Sequence, residues 1–235
     1  MIIRHYKGEN LVNCRDLGGY QTADGATKFG IALRSAMPIN PTEKDIEFLR
    51  EYGIKTVIDL RGNAEVEEYP GIFDRVDGFD YYHISLLEAN PAFSKQHKDM
   101  AEMYILSLTE YAENYAAVLR LICSLEKPFM FHCFAGKDRT GLLAALLLGA
   151  AGVGREDIVA DYQLSYTYFK PFYEKEVDSG SSIIWEKDET KFYSKPETME
   201  KILDYFDEAY GGVNGYLRHI GLSNEEITML SNILK

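Results

Sequence analysis

Positions 132 to 141 read His132-Cys133-Phe134-Ala135-Gly136-Lys137-Asp138-Arg139-Thr140-Gly141. A cysteine, five residues and an arginine at this spacing can grip and attack a phosphate monoester. A thiolate is the nucleophile of cysteine chemistry, and a helix N-terminus with nearby cations favours that form. Successive backbone N–H groups from Phe134 to Lys137 can curl into a nest for a tetrahedral oxyanion. Gly136 lets the backbone turn tightly there. Arg139 can hold two phosphate oxygens with its planar fork, a geometry lysine cannot match. Thr140 is placed so that its hydroxyl can bond the Cys133 sulfur and help it leave. His132 is expected to order the cysteine backbone or tune the thiol.

The implied reaction is a two-step hydrolysis. Cys133 takes the phosphoryl group and water then removes it. Arg139 and the loop amides stabilise both transition states. The chemistry requires no metal and no cofactor. A nucleotide-binding loop is excluded, because Phe131 stands at its first glycine position and Asp138 follows Lys137.

Such a loop needs a strand before it and a helix after it. Pro128 to His132 is a short apolar strand, and Thr140 to Ala151 is a very apolar helix that must be buried. Further strands are expected at Ile54–Leu60 and Tyr81–Leu86. Helices are expected at Thr42–Tyr52, with Thr42 and Asp45 as a capping box, at Gln96–Leu125 and at Gly154–Tyr168. Residues 171 to 196 read as irregular, with Ser179-Gly180-Ser181-Ser182 as a mobile centre. Two or three helices follow, the last capped by Ser223 and Glu226. Alternating strands and helices imply an α/β fold with a central, mainly parallel sheet flanked by helices. The 235 residues fit one domain, 1–235, with a lid or helical insertion near 171–215.

The bulk composition narrows the partners. Apolar residues make up 46% and charged residues 26% of the chain, and its formal charge is −12. That acidic balance argues against nucleic acid, whose phosphates require clustered lysine and arginine. No apolar run reaches the ~20 residues of a membrane span. The start, Met1-Ile2-Ile3-Arg4, carries no secretory pattern. Three cysteines (Cys14, Cys123 and Cys133) in such a chain imply a reducing, cytoplasmic setting. No Cys or His pair has zinc-ligand spacing.

Beyond the loop, further segments resemble one family. Asn13-Cys14-Arg15-Asp16-Leu17-Gly18-Gly19-Tyr20 is similar to the Asn-Phe-Arg-Asp-Leu-Gly-Gly-Tyr of bacterial protein tyrosine phosphatases, the type that includes secreted mycobacterial and listerial enzymes. Arg34-Ser35, Ile58-Asp59-Leu60-Arg61, Ala160-Asp161-Tyr162 with Ser165, and Tyr216-Leu217 with Gly221-Leu222-Ser223 also resemble family elements. Cys14 departs from the pattern, standing where an aromatic is usual. It is either a small apolar substitution or a redox partner of Cys133.

The resemblance implies a cysteine-dependent phosphatase fold acting on phosphotyrosine protein, with phosphoinositides or dual specificity as the alternative. A catalytically dead phosphate-binding module is the remote one. The resemblance also suggests Asp138 as general acid, because no Trp-Pro-Asp sequence exists; Glu88, after the 81–86 strand, is the competitor. Lys137 either widens specificity toward phosphoinositides or raises the local potential. Arg15 and Asp16 are expected to pair with each other or brace the loop. Asp59 and Arg61 are expected to support the site from a strand end. The run Tyr162, Tyr166, Tyr168, Phe169, Phe172 and Tyr173 either walls a pocket for an aromatic substrate or packs the core.

Overall fold

Phe129, Met130 and Phe131 show how the centre of the molecule is built. In a strand, neighbours point to opposite faces, and here Phe129 and Phe131 enter one core cluster while Met130 enters another. A computed structural model describes residues 4–88, 99–181, 183 and 186–235. Six of its strands form one sheet: β1 (His5–Tyr6), β2 (Cys14–Asp16), β5 (Ala32–Ser35), β8 (Phe129–His132), β6 (Thr56–Asp59) and β7 (Asp80–His83), in the order 1-2-5-8-6-7. Strands β3 (Gln21–Thr22) and β4 (Gly25–Ala26) make a separate hairpin. The pairs β5–β8, β8–β6 and β6–β7 are parallel, and β1–β2 and β2–β5 are antiparallel. The expected parallel sheet therefore forms the centre and one edge, with an antiparallel flank on the other.

Helices cover both faces. Ile46, Phe48, Leu49 and Tyr52 of α1 (Glu43–Tyr52) pack with Leu33, Val57 and Met130 on one side. The Thr42–Asp45 capping box forms at its start, and Gly53 ends it in the left-handed region. After α2 (Asn63–Glu68), the other face receives α3 (Met100–Glu110), α4 (Ala112–Ser124) and α5 (Asp138–Ala150). Helix α5 is apolar all round because it is enclosed: Leu142 to Leu148 are each buried. Then come α6 (Arg155–Asp178), a short 3-10 turn (Glu189–Phe192), α7 (Pro196–Tyr210), α8 (Val213–His219) and α9 (Asn224–Ile233). The Ser223–Glu226 capping box forms at α9. Among the described residues no helix is long and apolar enough to cross a membrane.

Several expected boundaries shift. Strand β7 ends at His83, where its ladder with β6 ends at Asp59. The helix expected over 96–125 is two helices, broken at Tyr111 (φ −108°, ψ 24°); Gln96 lies outside the described residues. Helix α5 starts two residues early, at Asp138, and this puts Asp138 and Arg139 in its first turn. Helix α6 runs through Pro171 to Asp178 instead of ending near Tyr168. An internal proline loses one backbone bond and crowds the previous turn. Burial of Phe169 and Tyr173 on either side of it, in one cluster with Phe134 and Ala135, holds the helix together. Ser179–Ser181 follow as its closing turn, and Ser182 lies outside the described residues.

Candidate active site

The loop from Cys133 to Lys137 joins the C-terminal end of β8 to the N-terminus of α5, at the carboxyl edge of the parallel strands. Its carbonyls are anchored outward. Phe134 O accepts from Met37 N at 2.8 Å, Ala135 O from Asn13 Nδ2 at 2.9 Å, and Gly136 O from Arg34 Nη2 at 2.8 Å and Asn13 Nδ2 at 3.2 Å. In a trans peptide the N–H points opposite to the C=O. The N–H groups of Ala135, Gly136 and Lys137 therefore face away from these anchors, as an anion nest requires. Gly136 sits at φ +66°, and a Cβ there would meet Ser35 O at 2.4 Å. Both facts demand glycine.

Cys133 lies at the base of the loop, 1% exposed. Arg139 leaves the first turn of α5 and meets Glu65 of α2. Nη2 donates to Oε1 at 2.9 Å, Nη1 donates to Oε2, and Nη1 also reaches Leu87 O at 3.3 Å. A guanidinium has five N–H donors. Among the described residues these three bonds use its end and one side, and leave the Nε–Nη2 edge without a partner, a fork with the geometry to hold an oxyanion. Burial opposes the charge on both partners, but the pair outweighs it: Arg139 is raised and Glu65 lowered. Glu65 is also fixed by Gly62 N at 2.9 Å. Glu65→Gln is expected to loosen the clamp and lower kcat/KM by about 10- to 100-fold. Steady-state assays on an aryl phosphate check it, and an unchanged value would detach Glu65 from the site.

Asp138 has a side chain about one third exposed (31%). Its Oδ1 accepts from Tyr104 of α3 and lies 3.3 Å from Lys137 Nζ. Tyr104 and Tyr162 hydroxyls share a bond of 2.8 Å. Burial and the Asp138 carboxylate push the Tyr104 phenol up, so it stays a donor. Lys137, 2% exposed, gives its ammonium to the carbonyls of Lys191 (2.7 Å) and Tyr193 (3.4 Å), which brings the 189–193 segment onto the loop. Glu88 is turned elsewhere: it caps α2 by accepting from Asn63 N at 2.9 Å and Nδ2 at 2.7 Å. Thr140 Oγ1 is buried with no hydrogen-bond partner among the described residues, so the expected bond to Cys133 is not made.

A second layer holds the loop. The sheet register sets Arg15 opposite Arg34, two buried cations side by side. Such a pair needs an anion between them, and Asp161 of α6 supplies it. Its Oδ1 accepts from Arg15 Nε at 3.0 Å and from Tyr20, and its Oδ2 from Arg34 Nη1. Arg15 also donates to Asn13 Oδ1 (2.5 Å) and Ser165 Oγ (3.0 Å). Burial disfavours the Asp161 carboxylate, but Arg15 and Arg34 prevail and hold its pKa at about 2. Arg15 and Asp16 do not pair. Asp16 instead ties Gly18 N (2.5 Å), Gly30 N (2.8 Å) and the Tyr52 hydroxyl, because neighbours on a strand face opposite ways.

Asp59 and Arg61 are both fully buried and pair with each other, Arg61 Nη2 reaching Asp59 Oδ2 at 2.6 Å. His132 Nδ1 lies 3.8 Å from Asp59 and 3.2 Å from Cys133 O. Burial lowers its pKa, so the ring is neutral at pH 7. Among the described residues neither side chain of the Asp59–Arg61 pair hydrogen-bonds residues 133–139. Cys14 cannot reach Cys133: β2 lies two strands from β8, about 10 Å at ~4.8 Å per strand, and a disulfide needs Cα atoms within about 7 Å. It is packed among Leu11, Leu33 and Tyr52 as a small apolar residue.

The depressed carboxylate gives a pH prediction. A carboxylate with pKa lowered by folding stabilises above its unfolded value of about 3.9, and that stability is lost as pH falls toward the folded value. For Asp161 the window is about pH 4 down to about 2. Asp161→Asn, which leaves two buried guanidiniums without their anion, is expected to cost about 3–5 kcal/mol at pH 7. It should also flatten the loss of stability within that window. Urea unfolding across a pH series measures both; a cost under about 1 kcal/mol would mean the cluster is solvated.

Glu65 and Tyr104 are site residues that the sequence did not indicate. Asn13, Arg34, Asp161 and Ser165 were visible only as parts of resemblance motifs, without roles.

Fold and loop together have the form of a cysteine-dependent phosphatase. The chain belongs to the tyrosine phosphatase family, whose model matches residues 6–235. A tyrosine-protein phosphatase of Nostoc commune is 30% identical over 203 residues, covering 80% of this chain and 69% of that protein. The triple specificity protein phosphatase PtpB of Mycobacterium tuberculosis is 33% identical over 125 residues, 46% of this chain and 44% of that protein. Among solved structures, P. aeruginosa TpbA is 18% identical with a TM-score of 0.36, over 60% of this chain and 80% of that one.

Proposed function

We propose that this chain hydrolyses phosphotyrosine on proteins, with Cys133 as nucleophile, Arg139 as phosphate clamp and Asp138 as general acid. The observation that carries the reading is the loop itself: three consecutive carbonyls pinned outward around a cysteine at a helix N-terminus, beside an arginine with one fork left open. In the first step Cys133 Sγ bonds to phosphorus and the ester P–O bond breaks. The proton of Asp138 goes to the leaving phenolic oxygen. In the second step water bonds to phosphorus, giving its proton to Asp138, and the P–S bond breaks to return the thiolate and inorganic phosphate. The amides of Ala135, Gly136 and Lys137 and the Nε–Nη2 edge of Arg139 hold the equatorial oxygens throughout.

Two features support tyrosine over inositol phosphates. Cys133 is recessed, so a long phenyl arm suits it better than a short one. Lys137 directs its ammonium at backbone carbonyls and Asp138, which leaves it poorly placed for a second phosphate group. Lys137 ties the 189–193 segment to the loop through the carbonyls of Lys191 and Tyr193. Three free thiols fit a reducing, cytoplasmic setting.

Parallel kinetics on a phosphotyrosine peptide, a phosphoserine peptide and phosphoinositide vesicles test the assignment. The phosphotyrosine peptide is expected to have the highest kcat/KM, by about tenfold or more, as a longer leaving arm and better leaving group require. A clear preference for the vesicles would reverse it.

A further inference from the structure

A cavity outside the loop lies between the 5–13 segment and the outer side of α6. Its volume is about 570 Å³, inside the range of about 300–1,000 Å³ typical of small-molecule sites. Its walls are mostly apolar and aromatic. His5 and Tyr168 stack with centroids 3.7 Å apart, and Phe172 and Leu11 continue the surface. None of the residues 132–139 lines it. Asn13 does, and the same side chain donates to Ala135 O and Gly136 O, so the cavity backs onto the loop without being part of it.

The charge at this cavity runs against that of the chain. In a protein of net charge −12, two lysines, Lys7 and Lys175, border the opening. Neither has an ion-pair partner among the described residues. The one lining carboxylate, Glu9, is already paired with Lys44 at 3.3 Å. An apolar, aromatic slot with two unmatched cations at its mouth fits an amphipathic anion.

We infer that this cavity binds a small molecule with a flat apolar body and a single anionic group, the body lying between the 5–13 segment and α6 and the anion meeting Lys7 and Lys175. The site is separate from the phosphate loop, and the inference does not depend on the phosphatase reading.

The probe is 8-anilinonaphthalene-1-sulfonate, followed by fluorescence on the full chain. One site is expected. Lys7→Glu with Lys175→Glu should weaken it about tenfold or more, the loss of two ion contacts and the gain of two repulsions. Thr167→Trp, an exposed position of α6 at the cavity, should weaken it similarly by filling the slot. N-phenyl-1-naphthylamine, which lacks the sulfonate, should bind the parent more weakly and ignore the charge reversal. Melting temperature and near-ultraviolet circular dichroism verify that each variant is folded. An affinity that changes less than twofold in the charge-reversed protein, or a neutral probe that binds as tightly as the sulfonate, would overturn the proposal. So would a concentration-dependent dimer that Thr167→Trp abolishes and the probe does not disturb, since a second copy would then be the occupant.

Discussion

Cys133→Ser is expected to lower kcat by about five orders of magnitude while leaving the affinity for vanadate or phosphate within a few-fold of the parent. The reason lies in what surrounds the sulfur. Cys133 is buried at the start of the loop that leads into α5; the loop amides point away from its anchored carbonyls, and the first turn of α5 carries Arg139. That setting suits a bound oxyanion, and sulfur is an intrinsically far stronger nucleophile toward phosphorus than a serine hydroxyl. Serine is nearly isosteric, and the carbonyl anchors on Met37, Asn13 and Arg34 do not involve the side chain. The oxyanion nest should therefore survive intact. Acid quenching of the parent during turnover should trap phosphate on Cys133, detectable by mass spectrometry, and the serine variant should carry none. Retention of more than about one per cent of kcat by Cys133→Ser would falsify the covalent mechanism.

What the sequence discloses about this site follows from how local each contribution is. The loop, its preceding strand and its following helix are contiguous, so their pattern can be read in ten residues. Glu65 could not be read in this way. It is 74 positions from Arg139, on a short helix with no buried residue and no distinctive pattern. The turn after β6 brings it there. Arg15 and Arg34 were legible as motif residues, but their meaning depends on strand register, which sets two cations opposite each other and obliges Asp161 to stand between them. The adjacency of Arg15 and Asp16 in sequence suggested a pair that strand geometry forbids. Pro171 misled for a related reason: local propensity ends a helix there, and tertiary packing of Phe169 and Tyr173 extends it. Aromatic spacing alone also could not divide Tyr162 and Phe169, which are core, from Tyr168, which faces the separate cavity.

Asp138→Asn is the substitution that separates the proton donor from every other role. The carboxyl sits in the first turn of α5, one residue before Arg139. Tyr104 and Lys137 both act on Oδ1, so Oδ2 is the oxygen left to meet the leaving group. The phenol of Tyr104 is itself held by Tyr162, and this fixes the carboxyl in one orientation. General acid catalysis is worth about 10²- to 10⁴-fold, and that loss in kcat is expected on a phosphotyrosine peptide, whose leaving phenol has a pKa near 10. On p-nitrophenyl phosphate, whose leaving group departs readily without a proton, the loss should be far smaller. An asparagine keeps the acceptor for Tyr104, so a purely structural role would change the rates on the two substrates by the same factor. Glu88→Gln supplies the opposing arm. Its carboxylate is committed to Asn63 at the start of α2, and the variant should keep the parental rates on both substrates within about twofold. If Glu88→Gln showed the leaving-group-dependent loss and Asp138→Asn did not, the proton would come from Glu88, and the capping seen here would have to break during each turnover.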